Sequence, residues 1–196
     1  MKNVIQEMLR ESAGVKTALA DSLAGEIATF ARWMTETYRH GGKVILFGNG
    51  GSLCDCLHIA EELVGRYKEE RKALPAIALA EPTLLTAIGN DFGFEAVFTR
   101  QIEAWVKPGD LVVGLTTSGN SPNVRAGLQL ARDMGARAVA LTGVAGAHMS
   151  EVADLVLCVP STNTPRIQEC HITIGHIVCE IAEKELGMVP GGSVHV

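Results

Sequence analysis

His58 and Glu62 stand four residues apart, so on a helix their side chains share one face and can reach the same ion or the same substrate. Immediately upstream lies the turn Gly48-Asn49-Gly50-Gly51-Ser52, and a second possible ligand pair, Gln168 and His176, lies near the C-terminus. Imidazole and carboxylate groups hold divalent cations and carry protons, while glycines let backbone N–H groups close on an anion. Together they suit the movement of a proton on a phosphorylated sugar.

A second turn of the same character, Thr116-Thr117-Ser118-Gly119-Asn120-Ser121, also leads into a helix-like stretch. Helix N-termini offer unpaired N–H groups and the positive end of the macrodipole, and hydroxyls add donors for phosphate and sugar oxygens. Either turn alone could serve merely as an N-cap; two in one chain favour an anion site. Two familiar phosphate loops do not fit. The nucleotide P-loop requires a lysine followed by serine or threonine, which the first turn lacks, and the dinucleotide fingerprint requires a glycine where Leu53 stands.

The elements that must carry these turns are legible from periodicity. Leu23, Ile27, Phe30, Met34 and Tyr38 recur at spacings of three and four, predicting a helix that stops at Gly41-Gly42, while Val4, Ile5, Met8 and Leu9 predict a shorter helix before it. Residues 1–40 form this N-terminal helical segment, whose apolar faces suit packing between subunits. From residue 43 short apolar runs alternate with amphipathic stretches: Val44 to Phe47, Ala76 to Leu79, Leu111 to Leu115, Ala138 to Thr142 and Leu155 to Val159. Five such runs predict an α/β fold, a Rossmann-like five-stranded parallel sheet flanked by helices. The expectation is one domain with its α/β core over 43–186 and a tail over 187–196, frayed from Pro190 to Val196. Helices are predicted at 52–65, 95–106, 122–134 and near 146–152, with a last one over 166–186. In such a sheet ligands lie outside the carboxyl ends of the strands, where both turns fall. The apolar neighbours Leu57, Ile59, Ala60 and Leu63 predict that the helix bearing His58 and Glu62 is largely buried, so that its carboxylate needs a partner or a task.

Composition narrows the partners. The chain has 196 residues, 47% hydrophobic and 20% charged, enough for one well-buried core. With 17 basic residues against 22 acidic ones, a net charge of −5 and no basic cluster, no nucleic-acid partner is expected. The mixed run Lys68 to Lys72 reads as a solvated loop. No apolar stretch has signal-peptide character or the length of a membrane span, so the expected location is cytoplasmic with no membrane partner. Five scattered cysteines make no disulfide framework. Cys54 shares a helical face with His58 while Cys56 points away, so small buried side chains are expected here rather than a thiolate metal site.

Gln168 and His176 are eight residues apart, about 12 Å along a helix axis, so one straight helix cannot deliver both to one ion. Either the chain at Gln168 precedes the regular helix and folds back, or the two come from different protomers. His171, between them, reads as a packing residue.

Taken in order, Gly48-Asn49-Gly50-Gly51-Ser52, His58-Ile59-Ala60-Glu61-Glu62-Leu63, Gly89-Asn90-Asp91-Phe92-Gly93-Phe94, Thr117-Ser118-Gly119-Asn120-Ser121 and Arg166-Ile167-Gln168-Glu169 resemble the sugar isomerase (SIS) domain family. The likeness is strongest to its seven-carbon sugar phosphate isomerases and runs from the N-terminal helices to about Leu186. The resemblance implies a homotetrameric enzyme of heptose synthesis for the lipopolysaccharide core. It would convert sedoheptulose 7-phosphate to D-glycero-D-manno-heptose 7-phosphate with one zinc ion per subunit. Carried over by position, metal ligands fall on His58, Glu62, Gln168 and His176. Substrate contacts fall on Asn49, Gly50, Gly51, Asn90, Asp91, Thr116, Thr117, Ser118, Ser121 and Gln168, and Ser52 of the first turn is counted with them. Thr116 replaces a frequent serine and keeps the hydroxyl. Ser161-Thr162-Asn163-Thr164-Pro165 departs from members with an aspartate just before Arg-Ile-Gln, so no role is carried over from that aspartate.

Aldose–ketose isomerisation removes a proton beside a carbonyl and returns it to the neighbouring carbon through an enediol or enediolate. Glu62 is the expected base and His176 its partner acid or base. The rival is a non-catalytic SIS module that binds a phosphosugar or a protein such as a replication initiator. Retention of the His/Glu/His set argues against it. Another ketose–aldose isomerase with the same machinery is a third reading, because chain-length specificity depends on pocket dimensions.

Overall fold

The run Val44–Gly48 is buried along its whole length, as is Leu111–Thr116, because each lies inside a sheet covered on both faces. The computed structural model describes residues 1–187. Its five strands, β1 (Val44–Gly48), β2 (Ala76–Ala78), β3 (Leu111–Thr116), β4 (Arg137–Gly143) and β5 (Leu155–Val159), are all parallel and ordered β2-β1-β3-β4-β5. The expected sheet is therefore present.

Alternation along the strands sorts the core into two layers. On one face Leu46, Val113, Leu141 and Leu157 pack with Phe30 and Met34 of α1 (Lys2–Arg39), Ile59 and Leu63 of α2 (Gly51–Val64), and Ile174 and Val178 of α6 (Thr164–Gly187). On the other, Ile45, Phe47, Val112 and Ala140 pack with Ile102 of α4 (Thr99–Trp105) and Val124 and Leu128 of α5 (Pro122–Asp133). The two helices that carry His58, Glu62 and His176 thus share a layer.

Three expectations need correction. The N-terminal pair is one continuous helix, α1, of 38 residues. Between the apolar clusters the chain offers alanines and no proline, and the single Gly14 is too weak a breaker to stop it. Its first turns are held to α6 by Ser12 donating to Glu169 at 2.6 Å and by Arg166 donating to the Met8 carbonyl at 2.7 Å. Second, a helix was missed: α3 (Pro82–Phe92) starts from Glu81, whose side chain accepts from the Leu84 N–H at 2.6 Å, with Pro82 in the first turn. No residue of α3 is fully buried, and its apolar stripe is short, with Leu85 and Ile88 packing half-buried against the second layer. Third, the stretch expected at 95–106 divides into a 3-10 turn at Phe94–Ala96 followed by α4, and that near 146–152 is a 3-10 segment, Val144–Glu151. The expected tail from Pro190 to Val196 lies outside the described residues.

Strand order fixes where a ligand belongs. The chain leaves β1 toward β2 at one edge, while β3, β4 and β5 stack on the other side, so the order reverses between β1 and β3. Open sheets bind ligands at the carboxyl ends of the strands flanking such a reversal. Gly48 pairs with Leu115, which sets the two glycine- and hydroxyl-rich turns side by side there. The five cysteines are free; Cys56 is buried as expected, whereas Cys54, expected to be buried with it, is exposed on the opposite side of α2 from the core face. Among the described residues no helix is long and apolar enough to cross a membrane.

Candidate active site

The first turn reaches α2 through Gly50, whose φ of 56° is a left-handed conformation that other residues adopt only with strain. Ser52 is buried behind it, while Gly50 and Gly51 are exposed. The second turn enters α5 at Ser121, whose hydroxyl lies 3.0 Å from that of buried Thr116, and the Ser118 hydroxyl accepts from the Asn120 N–H at 3.1 Å. Ser118 is exposed and Thr117 half-buried. A reciprocal amide pair ties the two turns together. Asn49 donates to the Asn123 side-chain oxygen at 2.9 Å, and Asn123 donates back at 3.0 Å. Asn123 is buried at the start of α5, so its bonds are shielded from competing water. Two helix N-termini thereby open onto one patch at the sheet's carboxyl edge.

Beside this cradle the second group assembles. His58 Nε2 lies 3.3 Å from Glu62 Oε1, His176 Nε2 lies 3.9 Å from the same oxygen, and the two Nε2 atoms are 3.4 Å apart. The convergence has a packing cause. Gly175 presents no side chain to α2, and a Cβ there would stand 2.6 Å from Ile59 Cγ1 and 2.7 Å from Cδ1. α6 therefore lies close against α2 at Ile59, and the neighbours His176 and His58 meet edge to face with ring centroids 5.0 Å apart. Their side chains are 35% and 47% exposed and that of Glu62 is 16% exposed, so the group is open to solvent. The expectation of a largely buried helix holds only for the α2 face carrying Cys56, Ile59, Ala60 and Leu63; Leu57 and Val64 are exposed.

The donor set suits a metal. Two imidazole nitrogens and one carboxylate oxygen lie within 4.8 Å of one another. Zinc bound at about 2.0 to 2.2 Å by tetrahedral N and O ligands needs ligand separations of roughly 3.3 to 3.5 Å. His58, Glu62 and His176 are the residues that could hold it.

Gln168 stands apart from this trio. It belongs to the same continuous α6 as His176, which removes the folded-back alternative. Its amide is packed over Gly51, where an added Cβ would fall 2.3 Å from Nε2. One chain thus places Gln168 at the anion cradle and His176 at the donor cluster. Asn90 and Asp91 lie exposed at the end of α3, with Asn90 donating to Asp91 at 2.8 Å.

A family model described as the SIS domain matches residues 8–143. The chain is 51% identical over 185 residues to the phosphoheptose isomerase of Aquifex aeolicus, covering 94% of this chain and 97% of that one. It is 52% identical over 183 residues to the phosphoheptose isomerase of Geobacter sulfurreducens, covering 93% and 97%. The chain belongs to the phosphoheptose isomerases of the SIS domain family. The structure of the Neisseria gonorrhoeae phosphoheptose isomerase superposes with a TM-score of 0.88 at 35% identity, over 93% of this chain and 98% of that one. That of a phosphoheptose isomerase from Francisella tularensis gives 0.89 at 34% identity, over 93% and 97%.

Three further residues of this SIS chain face its site and were not read from the sequence. Asn123 carried no signal beyond its place after a Ser-Pro helix start. Asp55 precedes His58 by three residues, a spacing that places the two on one face of α2. Burial pushes its carboxyl up to about 6, opposed by the His58 charge, and its Oδ2 has no hydrogen-bond partner among the described residues. Tyr67 lies beyond the end of α2, just before the run Lys68 to Lys72 that reads as solvated, and its ring rests against His176 with centroids 5.5 Å apart.

Proposed function

We propose that this isomerase converts sedoheptulose 7-phosphate to D-glycero-D-manno-heptose 7-phosphate. The observation that carries the reading is the close set of His58, Glu62 and His176 beside two helix N-termini locked together by Asn49 and Asn123. The N–H groups and hydroxyls of the two turns, with Gln168, Asn90 and Asp91, suit the phosphate and hydroxyls of the open-chain sugar. Binding energy from these remote groups orients the reacting carbons.

Glu62 then removes a proton from C1 of the ketose, and the electron pair moves to the C1–C2 bond to give the enediolate. His176 donates a proton as the C2 oxygen gains charge and takes one as charge returns to O1. The proton on Glu62 is delivered to C2, leaving the aldehyde at C1. The closest approaches to both histidine rings use Glu62 Oε1, so Oε2 is the oxygen assigned to proton transfer. His58, Glu62 and His176 would hold zinc, one ion per subunit, which supplies Lewis-acid polarisation of the sugar oxygens when bound. A Gln168 that joined the same set would come from a neighbouring copy of the chain, because α6 keeps it about 12 Å along the axis from its own His176. A homotetramer is supported by the exposed apolar side chains Val4, Ile5, Met8 and Leu9 on the first turns of α1, and a cytoplasmic site by the free thiols. The product would supply heptose for the lipopolysaccharide core, the role that the resemblance to this family implies.

The test is conversion of sedoheptulose 7-phosphate by purified protein of known metal content, before and after chelation. Conversion that stops on chelation and returns with zinc is expected. Absence of conversion by the zinc-loaded protein would reduce it to a phosphosugar-binding module.

A further inference from the structure

The segment after α2, Arg66-Tyr67-Lys68-Glu69-Glu70-Arg71-Lys72, is charged at every position but Tyr67, and by composition belongs in solvent. It is instead tied down. Glu183, buried on α6, accepts the backbone N–H groups of Tyr67 and Lys68, each at 3.0 Å, and that of Glu69. It also accepts the Arg71 guanidinium at 3.2 Å. Arg71 extends the clamp, donating to the carbonyls of Glu62 at 2.8 Å and Leu63 at 2.9 Å at the C-terminal end of α2, where the Leu74 N–H also donates to the Leu63 carbonyl at 3.1 Å. A buried carboxylate without these donors would be strongly disfavoured; burial raises its pKa, and the three N–H groups and then Arg71 outweigh it to give a net lowering.

The geometry of this clamp reaches the chemistry at two points. Through Tyr67 it sets an aromatic ring against His176, and through the Arg71 fork it fixes the backbone of Glu62 itself. We propose that Glu183 and Arg71 are positioning residues that hold Glu62 and the Tyr67–His176 contact in register for metal binding and proton transfer. The inference rests on the isomerase reading for its rate consequence, though its metal-binding consequence stands without it. Arg71 acts through geometry as well as charge: only a planar fork can serve a carboxylate and two carbonyls at once.

Arg71→Lys keeps the charge and removes the fork, and Glu183→Gln keeps the shape and replaces one acceptor by a donor. For each folded variant, kcat and KM for sedoheptulose 7-phosphate are measured together with zinc affinity by competition with a chromophoric chelator. Expected are a fall in kcat and a weakening of zinc affinity of about 10- to 100-fold each, the range for partners that orient metal ligands, with KM within about twofold. Glu180→Gln, which cuts the exposed ion pair between α6 and Lys68, should move none of these by more than about twofold. If either clamp variant does not fold, Tyr67→Leu and Tyr67→Phe decide: zinc affinity should weaken in Leu and be recovered in Phe. Clamp variants with parental kcat and zinc affinity, equal effects from Glu180→Gln, or equal values for Leu and Phe at Tyr67 would each overturn the proposal. Failure of the isomerase reading looks different, as a parent chain that binds zinc with the stated dependence on the clamp and converts nothing.

Discussion

The two halves of the site are built on opposite plans. The anion half is local: each turn is one short segment between a buried strand and a helix, and a single buried amide pair joins them. The half that carries His58, Glu62 and His176 is assembled from two helices more than a hundred residues apart in the chain, brought together by Ile59 against Gly175 and left open to solvent at both imidazoles. Pre-organisation in the first half comes from backbone geometry, and in the second from helix packing. Small changes in packing should therefore cost rate in the second half and binding in the first.

The largest expected effect is loss of a donor. His58→Ala should abolish nearly all turnover and reduce zinc retained per chain after dialysis, with little change in thermal unfolding of the metal-free protein; retained zinc and turnover would remove His58 from the ligand set. Next is Gly175→Ala. Its Cβ would collide with both Cγ1 and Cδ1 of buried Ile59, so that side chain must shift or α2 and α6 must part, at a stability cost of about 1–3 kcal/mol. The account expects kcat to fall about tenfold or more with KM little changed, read from steady-state kinetics beside urea unfolding. Asn123→Ala acts on the other half. Leaving Asn49 without its partner should raise KM about tenfold and spare kcat, since one lost hydrogen bond with an unsatisfied partner costs about 1–3 kcal/mol. A change confined to kcat would contradict the division.

The smallest effect concerns acid. His171 is fully buried, with the Thr142 backbone beside its ring but no well-formed hydrogen bond at either nitrogen among the described residues. Burial holds its pKa down to about 4, with the Thr142 backbone offsetting this only in part. The folded state then binds fewer protons than the unfolded chain between about pH 4 and 6.5, so its contribution is full above 6.5 and is lost as pH falls toward 4. Between pH 7 and pH 5 the loss should be about 2 kcal/mol in urea unfolding, and His171→Leu should remove that part of the slope. An unchanged slope would assign acid sensitivity to other groups.

The difference between the halves also explains what could be read in advance. Strand runs, the turns and the i, i+4 pair of His58 and Glu62 are short-range patterns, and each appears where expected. The sheet and the family follow from these. What escaped is set by tertiary contact: Gly175 looks like any helical glycine until Ile59 is laid against it, and Asn123 matters only because Asn49 faces it across two strands' ends. Lys68 to Lys72 has the composition of a solvated loop and is nevertheless held by a glutamate more than a hundred residues away. Gln168 illustrates the remaining gap: the helix that carries it leaves it over Gly51, and its own chain cannot add it to the His/Glu/His set.

The central claim is that Glu62 moves the proton. Turnover of sedoheptulose 7-phosphate by Glu62→Gln, at the same zinc occupancy and with the same unfolding temperature as the parent, measures it most directly. A fall of about 10²- to 10⁴-fold in kcat is expected from loss of a positioned base. A zinc-loaded Glu62→Gln protein working at the parental rate would show that the proton is carried by another group.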